Sequence, residues 1–123
     1  MLLNTKIAKK SSSPGATLLW TNPRPNDPFS ATVVALESGY SCYLVEFNDG
    51  FIIDTAKSTA LITFTETPFY YGASVRSSQQ TGYHYARKIN YVRDGEISFG
   101  TGYYDYSQPY DRDKIPLRIW GIK

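Results

Sequence analysis

The sequence has 123 residues with 13 Lys and Arg against 11 Asp and Glu, one His and one Cys, for a net charge of +2. That length fits one domain able to bury roughly two-thirds of the surface its unfolded chain exposes. A charge so near zero gives no sign of a nucleic-acid or anionic-membrane partner, a single Cys excludes an internal disulfide, and the excess residue is Tyr, at 11, which favours strands and contact surfaces.

Residues 1–15, "MLLNTKIAKKSSSPG", end in the Ser11-Ser12-Ser13-Pro14-Gly15 joint and predict a short N-terminal arm ahead of a domain over 16–123. No apolar run approaches the roughly 20 residues of a membrane span, and the N-terminus lacks the apolar region of a signal peptide. The expectation is a soluble protein, without membrane insertion, that is not secreted by the ordinary signal-peptide route. "ATLLW" then predicts a strand, and "TNPRPNDPF" an extended crossover, because Pro23, Pro25 and Pro28 each remove a ladder donor. "FSATVVAL" resumes strand character. "YSCYLVEFNDG" alternates Tyr43, Val45 and Phe47 against Cys42, Leu44 and Glu46 before a turn at Asp49-Gly50, with "FIIDT" as the returning arm and Cys42 as a small buried hydrophobe.

"TALITFTE" is β-branched throughout and predicts another strand ending near Pro68, whereas "TPFYYGASVRSSQQTG" has no period and reads as a long loop or irregular edge. "YHYARKINYVRDGEISFG" gives the clearest local signal, two alternating runs around Asp94-Gly95, the composition of a type I′ turn. Its first arm puts Tyr83, Tyr85, Arg87, Ile89 and Tyr91 on one side and His84, Ala86, Lys88, Asn90 and Val92 on the other. The loop "TGYYDYSQPYDRDK" follows. In the closing "IPLRIWGIK", alternation turns Ile115, Leu117 and Ile119 inward and Pro116, Arg118 and Trp120 outward. About seven or eight strands at roughly ten-residue spacing, with no sustained helical period, predict an all-β fold, an antiparallel β-sandwich of jelly-roll or immunoglobulin-like type.

The residues offer little for catalysis. His84 has no nucleophile motif or orienting acid beside it in sequence. Glu37, Asp54, Glu66 and Glu96 fall in separate strands or turns, with no spacing that draws two together as a glycosidase requires. Asp105, Asp111 and Asp113 crowd one loop, but their spacing is not that of an EF-hand, and Arg112 and Lys114 sit among them as ion partners. No phosphate loop, Cys pair or His pair is present, so the reading assigns no catalytic residue, no metal and no cofactor. Basic and aromatic residues interleave in "YHYARKINYVR", a pattern that fits a protein or glycan contact better than a nucleic-acid platform at this net charge. Tyr104, Asp105, Tyr106, Tyr110 and Asp111 form the ligand-binding candidate, with a core role left open for one of Tyr103 and Tyr104.

"TLLWTNPRPNDPFSA" and "IPLRIWGIK", with "FGTGYY" between them, resemble a domain of structural proteins from tailed bacteriophages and prophages, in which an "LLWTNP-x-P" opening and an "IPL-x-IYGIK" ending bracket about a hundred variable residues. The resemblance covers residues 17–123 in order and spacing, with Leu18 to Pro25, Phe29 to Thr32, Phe99 to Tyr104 and Ile115 to Lys123 as the matching stretches. It implies a virion part, made in the bacterial host cytoplasm, such as a fibre tip, baseplate piece or capsid decoration, often trimeric.

The expectation is therefore a non-enzymatic virion structural or display protein. It would be a homo-oligomer, with a trimer as the expected state, attached to other virion proteins by its N-terminal arm and facing a host-surface glycan or protein. Arg118 and Trp120, with Trp20 adjoining them, are the predicted subunit interface, because an outward Trp invites a covering partner; the alternative is a second layer of the same chain over a central terminal strand. The alternatives are a small glycan-active enzyme and a cellular carbohydrate-binding module.

Overall fold

A computed structural model describes residues 15–48, 57–75, 84–104, 108–112 and 114–123. The described residues form nine strands and no helix: β1 (Ala16–Thr21), β2 (Thr32–Ala35), β3 (Cys42–Asn48), β4 (Lys57–Thr63), β5 (Phe69–Val75), β6 (His84–Arg93), β7 (Glu96–Tyr104), β8 (Gln108–Pro109) and β9 (Pro116–Ile122). They make an antiparallel sandwich. One sheet runs β1-β9-β3-β4; the other runs β2-β7-β6-β5, with β8 also on β7. β2 and β8 share one edge of β7, β2 against Glu96–Phe99 and β8 against Tyr103 and Tyr104. The predicted arm lies outside the described residues apart from Gly15.

The alternation in β3 is as the sequence predicts: Tyr43, Val45 and Phe47 are fully buried and their neighbours are not. They meet Ile62, Ile119, Val34, Ile89, Val92, Ile97 and Phe99 in one core drawn from both sheets. Burying each such side chain contributes about 1.5–3 kcal/mol. Trp20, Phe29, Phe99, Phe47 and Tyr71 run through it as a chain of ring contacts, edge-on at 5.6–6.4 Å and ending in a stacked pair at 4.3 Å.

Several expectations need correction. The arm that returns on β3 is Lys57–Thr63, which pairs every residue from Cys42 to Asn48, so "FIIDT" is not that arm. It lies outside the described residues. Of the two readings of the stretch before β6, the irregular edge is the one found: Phe69–Val75 is a strand at the edge of its sheet, broken in register between Tyr71 and Ser74 where Gly72 takes a φ of 102°. Alternation in β6 holds only from Arg87 to Asn90, since Ala86 is buried beside Arg87. A register shift before Tyr91 turns Val92, not Tyr91, into the core. In β9, Pro116 is buried and Leu117 only partly so, although Ile119 inward with Arg118 and Trp120 outward is as predicted. Cys42 is half-buried on the outward side of β3.

At the β6–β7 turn only Gly95 has a positive φ, 105°, so the type I′ geometry, which needs two, is not formed. Side chains from outside the hairpin hold it. The Asp94 carboxylate accepts hydrogen bonds from the Gly39 and Tyr40 amides at 2.9 and 3.1 Å, and the Tyr43 hydroxyl donates to Arg93 O while accepting from Gly95 N, both at 2.8 Å. Burial pushes the Tyr43 phenol above its ordinary value of 10.0, with the nearby Asp94 charge adding to it. A raised folded-state value means the contribution is complete below the unfolded value and is lost as pH rises past it. Tyr43→Phe should cost about 1–3 kcal/mol near neutral pH by stranding the Gly95 amide, and should lose less stability than the wild type above pH 10, compared by urea unfolding.

Candidate functional site

Two surfaces were indicated by the sequence, the tyrosine loop and the face carrying Trp120. At the loop, Asp105 and Tyr106 lie outside the described residues, and Tyr104 is placed by its backbone, paired with Tyr85 and Gln108. Tyr110 is half-buried and its amide donates to Gly102 O at 2.8 Å. Tyr103 is also half-buried, edge-on to Tyr70 at 5.8 Å.

Asp111, predicted to face a ligand, is engaged within the fold. Its carboxylate accepts from Gly102 N at 3.1 Å and from Ser30 Oγ at 3.2 Å, and lies 3.6 Å from the Arg87 guanidinium. Its carbonyl takes the Phe29 amide at 2.9 Å. Arg87 is fully buried. It donates to the carbonyls of Lys114 at 3.2 Å, Gly100 at 3.1 Å, Asp111 at 3.3 Å and Phe29, whose ring also lies 5.5 Å below the guanidinium. Sequence reasoning placed Arg87 on a contact surface. A lone Arg in an alternating strand gives no signal that distant carbonyls converge on it.

Of Glu37, Asp54, Glu66 and Glu96, weighed for a hydrolytic pair, Asp54 lies outside the described residues. Glu66 and Glu96, far apart in sequence, do meet the same side chain: Arg93 binds Glu66 through two contacts at 2.9 and 3.0 Å and lies 3.5 Å from Glu96. The Arg93 hydrogen bonds hold the Glu66 carboxyl below its ordinary range, and Glu96 accepts the Tyr91 hydroxyl, which raises that phenol. A general acid needs a raised carboxyl; Glu66 is shifted the other way. No group of three or more His, Cys, Asp or Glu that could hold a metal occurs among the described residues.

The face with Trp120 is more continuous than its sequence suggests. β9 lies between β1 and β3, so Trp120 stands opposite Leu18 on one side and Leu44 on the other, and Leu44 stands opposite Leu61 of β4. The four form one row across the whole outward face, because their neighbours Tyr43, Val45, Ile62 and Ile119 point into the core. Leu61 is 63% exposed, and the other three are half-buried. In the flanking rows Ile122 is opposite Cys42, and Arg118 is opposite Glu46 and donates to its carboxylate at 2.7 Å. Arg118 therefore pairs within its own sheet. Trp20 does not adjoin Trp120: a bulge between Leu18 and Trp20 sets Trp20 opposite Ile119 and against the core.

The motifs behind the phage resemblance are tied to one another. β1 pairs with β9 along "ATLLWT" and "LRIWGI". Beyond β1, the buried Asn22 donates from Nδ2 to Pro116 O at 2.9 Å and from its amide to Leu117 O at 2.8 Å, while its Oδ1 accepts from Arg24 N at 2.8 Å. Asn22 had no role from sequence alone. No protein family, curated protein or solved structure matches the chain.

Arg87→Met should lower unfolding stability by roughly 3–5 kcal/mol, since it removes the charge from a paired, buried site and leaves several carbonyls without a donor. Denaturant unfolding monitored by Trp fluorescence measures it; a change within the ordinary ±0.5 kcal/mol of a surface substitution would contradict the placement.

Proposed function

We propose that the chain is a non-enzymatic structural protein of the tailed-phage virion, a sandwich that self-assembles through the outward face of the β1-β9-β3-β4 sheet. The observation that carries the assembly is the row Leu18, Trp120, Leu44 and Leu61, four large apolar side chains aligned across every strand of one sheet. An apolar band spanning a full face, with a charged pair beside it, has the layout of an interface core and its polar rim. A second copy is the favoured occupant. Each copy presents the same band toward a threefold axis, and Arg118 and Glu46 provide both signs of charge beside it for contacts from one copy to the next. The virion setting rests on the resemblance of the paired end motifs, and supports a trimer as the assembled state.

Attachment to other virion proteins is assigned to residues 1–15, and contact with a host-surface glycan or protein to Tyr104, Asp105, Tyr106 and Tyr110. Asp111 leaves that set because its carboxylate is engaged by Gly102, Ser30 and Arg87. The clamped carboxylates Glu66 and Glu96 favour this reading over a glycan-active enzyme.

Static light scattering of the wild type should give a multiple of the 13.9 kDa chain mass, three for a trimer. Leu61→Glu and Trp120→Ala, each on the outward face, should yield folded monomers. Variants that remain both folded and fully oligomeric would contradict the assembly.

A further inference from the structure

The opposite sheet ends in an edge with a different chemistry. β2 pairs with β7 in the register Thr32↔Phe99 to Ala35↔Glu96, and the Leu36 amide donates to Gly95 O at 2.8 Å. Hydrogen-bonded and non-hydrogen-bonded pairs alternate along an antiparallel ladder, so Thr32 and Val34 share the bonded phase of Leu36. Val33 and Ala35 then direct their N–H and C=O groups away from β7. Among the described residues no hydrogen bond is made by these outward groups. Val33 is 56% exposed, and the strand Thr-Val-Val-Ala carries no charge or proline of the kind that blunts an open edge.

Beside this edge is a groove of about 590 Å³, lined by β2, by Trp20 and Phe29, and by the crossover residues Pro23, Arg24, Asp27 and Pro28. Arg24 and Asp27 stand at its rim, 3.6 Å apart with their side chains 79% and 55% exposed, a weak pair that can re-form with an incoming charge. We propose that this edge accepts an extended segment of a partner protein, which lies in the groove and continues the sheet as one more strand beside β2. The outward N–H and C=O groups select the occupant: they recur every two residues, about 6.6 Å apart, the repeat of an extended peptide backbone. The aromatic wall of Trp20 and Phe29 adds a preference for apolar side chains at alternate positions. The site lies on the other sheet from the Trp120 row and does not depend on that assembly.

The test uses the full chain and the capped peptide Lys-Thr-Val-Thr-Val-Thr-Lys, followed by amide NMR and Trp fluorescence. Saturable binding is expected, with slowed exchange at the Val33 and Ala35 amides. Val33→Pro removes an outward donor and no ladder bond, so the fold should persist while affinity falls about tenfold. N-methylating the peptide at alternate residues should abolish binding in one phase and spare it in the other, a readout that needs no variant of the protein. No saturable binding, insensitivity to both N-methyl phases, or unchanged affinity in folded Val33→Pro would each overturn the proposal. So would a wild-type oligomer that Val33→Pro alone dissolves, which would assign the edge to a second copy.

Discussion

The interaction on which the rest of the structure depends is the burial of Arg87. A guanidinium cannot lose its proton inside a protein, so placing it in the core requires that its donors find acceptors there. The acceptors come from the crossover after β1 (Phe29), the irregular stretch of β7 (Gly100) and the segment leading into β9 (Asp111 and Lys114). At the register break next to Arg87, β7 sets Gly100 and Thr101 against Lys88 of β6, and the Gly100 carbonyl accepts from Arg87. Lys114, at a φ of 53°, holds a backbone conformation unfavourable for a side-chain-bearing residue, and its carbonyl bonds to Arg87 Nε. Gly102 shows how close the same junction is: a Cβ there would sit 2.2 Å from Tyr110 O.

From that junction the positions of the two surfaces follow. The chain is directed from β8 across to the first sheet, where β9 enters between β1 and β3, and the bonds from Asn22 to Pro116 and Leu117 fix how far it slides. Register decides what faces outward, since a slip of one residue would exchange Trp120 for Ile119. The same crossover that supplies Phe29 to Arg87 forms the wall of the groove beside β2. A charge in the core therefore sets both an apolar face on one sheet and an open edge on the other.

Much of the fold was legible because it is local. The alternation of β3, the β6–β7 hairpin around Asp94-Gly95 and the prolines of the crossover each act within a few residues. What failed was set by distant contacts. The turn geometry at Asp94 is held by bonds to Gly39, Tyr40 and Tyr43, and the alternation of β6 is interrupted where β6 itself carries one extra residue between Ile89 and Tyr91. The outward Trp120 and Arg118 were readable from period two, but their neighbours were not. Leu18, Leu44 and Leu61 come beside Trp120 only through strand order, which periodicity does not contain. Asp111 looked like part of a display loop because composition marks it as polar and turn-prone, while its partner Arg87 is in another strand. The end motifs were legible as a pair, and their direct pairing as β1 and β9 gives a physical reason for both to be present.

Native-state amide exchange on Arg87→Met tests the organising role of this side chain most directly. The Phe29, Gly102 and Tyr110 amides, which donate around the junction, should lose protection well before the β3–β4 amides, because the crossover and the β8–β9 segment would open as a local unit. Equal loss of protection at the junction and at β3–β4, or none at the junction, would contradict the account that Arg87 holds these segments in place.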